Sequence, residues 1–110
     1  MRAPWPDQGP QRKYELVLFA VKGTRPTNRL AGDVISCNSD PNLGHQAQKP
    51  VELIYDLLNR SAHPGDKVLD PFCGSGPIFE AAHRMQCYVT GLEIDPQFYT
   101  IAYERISKLP

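Results

Sequence analysis

The sequence predicts an α/β domain with a mostly parallel sheet and flanking helices. Three observations carry that prediction. Short apolar segments alternate with stretches of helical periodicity through the second half of the chain. A Gly-rich run, Asp70-Pro71-Phe72-Cys73-Gly74-Ser75-Gly76, lies between an apolar segment and a helix-like one. An acidic residue, Glu93, follows Asp70 by 23 positions at the end of the next apolar segment. That spacing suits the ends of two consecutive parallel strands joined by one helix.

Taken in order, residues 1–13 hold Pro4, Pro6, Gly9 and Pro10 and read as an irregular lead-in to a single domain over residues 14–110. Residues 14–21 (Tyr-Glu-Leu-Val-Leu-Phe-Ala-Val) are almost wholly apolar and predict a strand buried on both faces. Residues 23–32 have loop composition, and residues 33–37 suit a short second strand. Pro50 and Glu52 suit the start of a helix, whose Val51, Leu53, Ile54, Leu57 and Leu58 fall on one face. Pro64-Gly65-Asp66 ends that helix and launches a strand over 67–70. A helix over 76–85, a strand over 87–93 and a helix opened by Pro96 complete the order. On the last helix, Phe98, Tyr99 and Tyr103 are expected in the core.

Composition excludes some classes. The 12 basic and 12 acidic residues cancel, so the whole chain lacks the basic signature of nucleic-acid binding. Arg25 and Arg29 belong to a local basic excess expected to face solvent. Cys37, Cys73 and Cys87 have neither metal spacing nor the even count of a disulfide framework, which favours a reducing, cytoplasmic setting. Cys73 is expected to pack within the turn. No membrane-length apolar run or signal peptide is visible, so no metal and no membrane partner are expected.

The chemistry of residues 70–76 is more specific. The run lacks the Gly-Lys-Ser/Thr ending of a phosphate loop and the third glycine of a dinucleotide fingerprint. A carboxylate at the strand end would repel a pyrophosphate but suits a ligand bearing an ammonium group. A second carboxylate, Glu93, can accept both hydroxyls of a ribose. S-adenosylmethionine carries both features.

With His45-Gln-Ala-Gln-Lys-Pro50 before it and Gly91-Leu-Glu-Ile-Asp95 after it, the Asp70 run resembles the DNA amino-methyltransferases that modify adenine N6 or cytosine N4. The motif order is similar to that of their beta group, and the resemblance spans roughly residues 14–107. It implies a partial Rossmann-like S-adenosylmethionine-dependent methyltransferase fold. It also implies that Asp70 and the backbone of Phe72, Cys73, Gly74, Ser75 and Gly76 hold the methionine end. Lys49 would meet the cofactor carboxylate, Glu93 the ribose, and Ile94 the adenine. Ala47 and Pro77-Ile78 stand where the family carries hydroxyl residues, which predicts weakened affinity.

The family holds its target base with an Asp/Asn/Ser-Pro-Pro-aromatic motif. These 110 residues contain no Pro-Pro pair, so no catalytic residue is assigned. The resemblance therefore implies a C-terminal, cofactor-binding portion that is inactive alone, with DNA as a partner only of the intact enzyme. By the same analogy the strand ending at Asp70 lacks a neighbour and leaves an exposed edge. That edge could pair with a second copy or a complementing chain, as in a non-enzymatic remnant.

Overall fold

The structure, a computed structural model, describes residues 14–29, 31–37 and 49–110. The lead-in and His45, Ala47 and Gln48 lie outside the described residues. Five elements follow one another: α1 (Val51–Ser61), β1 (Lys67–Asp70), α2 (Pro77–Arg84), β2 (Tyr88–Gly91) and α3 (Pro96–Ser107).

Each element has a local cause. α1 presents an apolar face with Glu52 in its first turn and Arg60 in its last, both favourable to the helix dipole. α2 starts where Gly76 adopts a left-handed backbone (φ +89°) and Pro77 takes the first helical position. It stops where Gln86 turns left-handed (φ +58°) and the Cys87 amide bonds back to the Ala82 carbonyl at 2.9 Å. α3 begins at Asp95, whose side chain accepts from the Gln97 and Phe98 amides.

β1 and β2 pair in parallel, with Lys67 opposite Tyr88 and Asp70 opposite Gly91. Burial alternates along both strands. Val68, Asp70, Val89 and Gly91 are half-buried, while Lys67, Leu69, Tyr88 and Thr90 are exposed. α2 lies against β2 and is flanked by α1 and α3. The core sits around α2, where Ile78, Ala81 and Ala82 are buried with Val51 of α1 and Ala102 of α3. Ala81 and Ala82 let the neighbouring elements approach closely. Ile78 and Val51 contribute about 1.5–3 kcal/mol each by leaving water.

Three expectations are corrected. Residues 14–21 form no strand and are exposed, with Leu16 at 89% and Leu18 at 94%. A strand buried on both faces needs neighbours on both sides, and the only described strands pair with each other. Residues 33–37 form no strand either, for the same reason. Tyr99 (56% exposed) and Tyr103 (64%) stack on each other, centroids 6.4 Å apart, outside the core. α3 turns its Ala102 side toward α2, so its tyrosine face points away.

The segment around residues 25–29 is tied to the C-terminal end of α1. Asn28 donates from its side chain to the carbonyls of Asn59 and Ala62, and from its backbone to that of Arg60. These are carbonyls that a helix end leaves without intrahelical partners. Arg25 bonds Asp66 at 2.8 Å, and Arg29 pairs with Asp56. Both arginines face solvent, as expected, and each also makes an ion pair.

Candidate functional site

The carboxyl ends of β1 and β2 bring Asp70, residues 72–76 and Glu93 together. The strand ladder continues past the strands, with the Leu92 amide donating to the Asp70 carbonyl and the Cys73 amide to the Leu92 carbonyl, both at 2.9 Å. These bonds fold the Gly-rich turn over the end of β2. Asp70 Oδ1 accepts from the Phe72 amide at 3.1 Å, which closes the first bend of the turn. Gly76 closes the last, donating to the Cys73 carbonyl at 2.9 Å.

Glu93 does more than sit at a strand end. Its Oε1 accepts from the Gly74 amide at 2.8 Å, and its Oε2 accepts from the Asp95 amide at 2.9 Å. One carboxylate therefore joins the Gly-rich turn to the start of α3. Sequence reasoning places Glu93 at the ligand but misses Asp95. The Asp95-Pro96 pair, an N-cap followed by proline, is the available signal.

Four of the five amides of residues 72–76 are spent inside the protein. The amides of Phe72, Cys73, Gly74 and Gly76 all donate to protein acceptors, and Pro71 and Pro77 have none to give. What this end offers a ligand is acceptors: the Asp70 and Glu93 carboxylates with their remaining lone pairs. Such a site disfavours phosphate and favours ammonium and hydroxyl groups.

Cys73 lies buried in the turn, its thiol pushed up in pKa by burial first and then by the Asp70 and Glu93 carboxylates. It packs, as expected. A Cβ on Gly91 would stand 3.0 Å from its sulfur and 2.6 Å from the ring of Phe79. Ile94 (97% exposed) and Phe72 (88%) leave apolar surface beside the carboxylates.

Lys49 is placed differently. Its Nζ pairs with Glu15 Oε2 at 2.6 Å, and no hydrogen bond among the described residues joins it to residues 70–76. An open cleft of about 810 Å³ lies instead at the other end of the sheet, lined by Arg25, Asn28, Arg29, His63, Arg84 and Gln86 among others. Its three arginines face Asp66, Asp56, Glu52 and Glu80, so the charges there are already balanced.

The geometry has counterparts in known proteins. M.Cfr9I, a Type II methyltransferase of Citrobacter freundii, is 38% identical over 74 residues, covering 66% of this chain and 25% of that protein. The crystal structure of the M1.HpyAVI–SAM complex matches with a TM-score of 0.60 at 28% identity, over 69% of this chain and 37% of that one. The crystal structure of TTHA0409 from Thermus thermophilus, complexed with S-adenosyl-L-methionine, matches with a TM-score of 0.53 at 36% identity, over 58% and 26%. The chain thus spans about a quarter of the length of the Type II methyltransferases it matches. These likenesses establish the partial methyltransferase fold, an α/β arrangement about a parallel sheet. The DNA methylase profile matches residues 6–104, nearly the whole sequence, and the chain belongs to the N6/N4 DNA methylase family.

Proposed function

We propose that this chain is the S-adenosylmethionine-binding part of a DNA methyltransferase acting on adenine N6 or cytosine N4. In this reading it is the C-terminal portion of a beta-group enzyme. The observation that carries it is the acceptor-rich end of the sheet, where Asp70 and Glu93 flank a turn most of whose amides already serve the protein. Bound there, S-adenosylmethionine would supply the methyl group carried on its sulfonium. Asp70 holds the ammonium, Glu93 the ribose hydroxyls, and exposed Ile94 lies against the adenine. Lys49 already pairs with a carboxylate, and a half-exposed ion pair is worth little, so it can exchange Glu15 for the cofactor carboxylate.

The base-holding group comes from outside these 110 residues, which contain no Pro-Pro pair. DNA is then a partner of the intact enzyme, and a DNA substrate fits a cytoplasmic setting. No helix among the described residues is long and apolar enough to cross a membrane. Calorimetric titration with S-adenosylhomocysteine tests the reading. Binding should weaken at least tenfold in Asp70→Ala, by the loss of a charge-assisted contact worth about 1.5–3 kcal/mol. Absence of heat at millimolar ligand would sink it.

A second reading has its own support. Among the described residues β1 pairs only with β2, and Leu69 on it is exposed. A remnant without enzymatic function could use that edge to pair with a second copy or a complementing chain. Light scattering on the purified chain separates the two, since a strict monomer removes self-pairing.

A further inference from the structure

We infer that Glu93 is a positioning residue for the Gly-rich turn, so that the group meeting the ribose also sets the shape of the methionine end. This rests on the cofactor reading above and adds a coupling between the two halves of the site.

The argument starts from the turn's own bonds. Gly74 has a left-handed backbone (φ +56°), which leaves its peptide planes dependent on the contacts they make. Its amide is fixed by Glu93 Oε1 at 2.8 Å. The other oxygen of the same carboxylate is fixed by the Asp95 amide at 2.9 Å. Asp95 in turn caps α3 through the Gln97 amide at 2.8 Å. The line of bonds runs from turn to carboxylate to helix, and the Glu93 side chain bridges the two. Each carboxylate oxygen accepts one amide here and keeps a lone pair. Ribose hydroxyls can therefore bind Glu93 without breaking the bridge.

Removing the carboxylate would cost the ligand twice: once at the ribose, and once because Gly74 is no longer held. Neutralising it to an amide leaves one acceptor oxygen and replaces the other with a donor. That group can serve Gly74 or Asp95, but not both.

The test compares the chain with Glu93→Gln and Glu93→Ala, using two probes, adenosine and S-adenosylhomocysteine. Adenosine reports the adenine and ribose contacts without the methionine end, and S-adenosylhomocysteine reports both ends. Hydrogen exchange at the Gly74 and Asp95 amides is read by NMR in the ligand-free proteins. Glu93→Ala should lose protection at both amides and lower the affinity ratio of S-adenosylhomocysteine to adenosine by about tenfold, the scale of one charge-assisted hydrogen bond. Glu93→Gln should keep protection at one amide and recover part of the ratio. Equal weakening of both probes, unchanged protection at Gly74 in Glu93→Ala, or unchanged protection at both amides in Glu93→Gln, overturns the inference. Should Glu93→Ala fail to fold, Glu93→Gln decides by the same two readings. If the unmodified chain binds neither probe while the variants still lose amide protection, the cofactor reading fails and the positioning role stands.

Discussion

The two ends of the sheet are built on opposite terms. At the carboxyl end of β1 and β2 the backbone itself makes the structure, with a tight turn, two left-handed glycines and a carboxylate bridging two amides. At the amino end, side chains add to the backbone bonds across an open cleft, through exposed pairs such as Arg25 with Asp66 and Arg84 with Glu52. The first arrangement has no slack, and the second has a great deal. A site that must shape itself to one ligand needs the former. An end that only holds a flanking segment in place can use the latter.

Breaking the carboxyl end should therefore cost the most. Gly76→Ala is the largest effect we expect. Its backbone φ of +89° strains any L side chain, and the new Cβ would stand 3.0 Å from Ala102 Cβ and 3.0 Å from the Phe79 ring. Left-handed strain of about 1–2 kcal/mol adds to a packing cost of about 1–3 kcal/mol. A urea midpoint equal to that of the unmodified chain would show that the turn has room after all. Breakage at the other end is milder. Exposed pairs are worth about 0–1 kcal/mol, so Arg29→Ala should move the midpoint only slightly.

The same contrast explains what is legible in the sequence. The strands, turn and helices from residue 67 to residue 107 are readable because their signals are local: Pro64-Gly65-Asp66 ahead of one strand, short apolar runs leading to Asp70 and Glu93, and Pro96 at a helix start. Spacing alone places Asp70, the Gly-rich turn and Glu93 together, and the structure brings them together. What spacing does not show is the direction of the amides. A Gly-rich turn suggests backbone offered to a ligand, whereas four of these amides serve the protein. Residues 14–21 depart from expectation for a different reason. Their apolar composition reports burial against neighbouring strands, and such neighbours are a property of the sheet, not of the segment. Tyr99 and Tyr103 mislead likewise, since helical spacing gives a face but not what lies opposite it.

One position near the cleft can be improved. Gln86 occupies a left-handed conformation at φ +58° where glycine is at ease, and it lines the cleft rather than the core. Gln86→Gly should raise stability by about 0.5–1 kcal/mol, the relief of left-handed strain offset by greater freedom in the unfolded chain. A lower melting temperature would mean that the Gln86 side chain holds the cleft together. That result would bring the amino end closer in character to the carboxyl end.

The smallest effect is one that only the amino end should show. Asp66 is held below its usual carboxylate range, first by the hydrogen bond from the His63 amide at 2.9 Å, then by the Arg25 guanidinium at 2.8 Å; slight burial works the other way. The sign follows directly. A carboxyl depressed in the folded state adds stability above its unfolded value, near 3.8, and loses it as the pH falls through the folded value. Asp66→Asn keeps an acceptor for the His63 amide but removes the titrating charge. Between pH 6 and pH 3 the urea midpoint of the unmodified chain should therefore fall further than that of Asp66→Asn. Because Asp66 is open to water, the difference should also shrink in high salt to the extent that Arg25 contributes, while the His63 part persists. Identical acid dependence in the two proteins would mean that the Arg25–Asp66 pair does nothing for the amino end, and that its other side-chain bonds do the joining there.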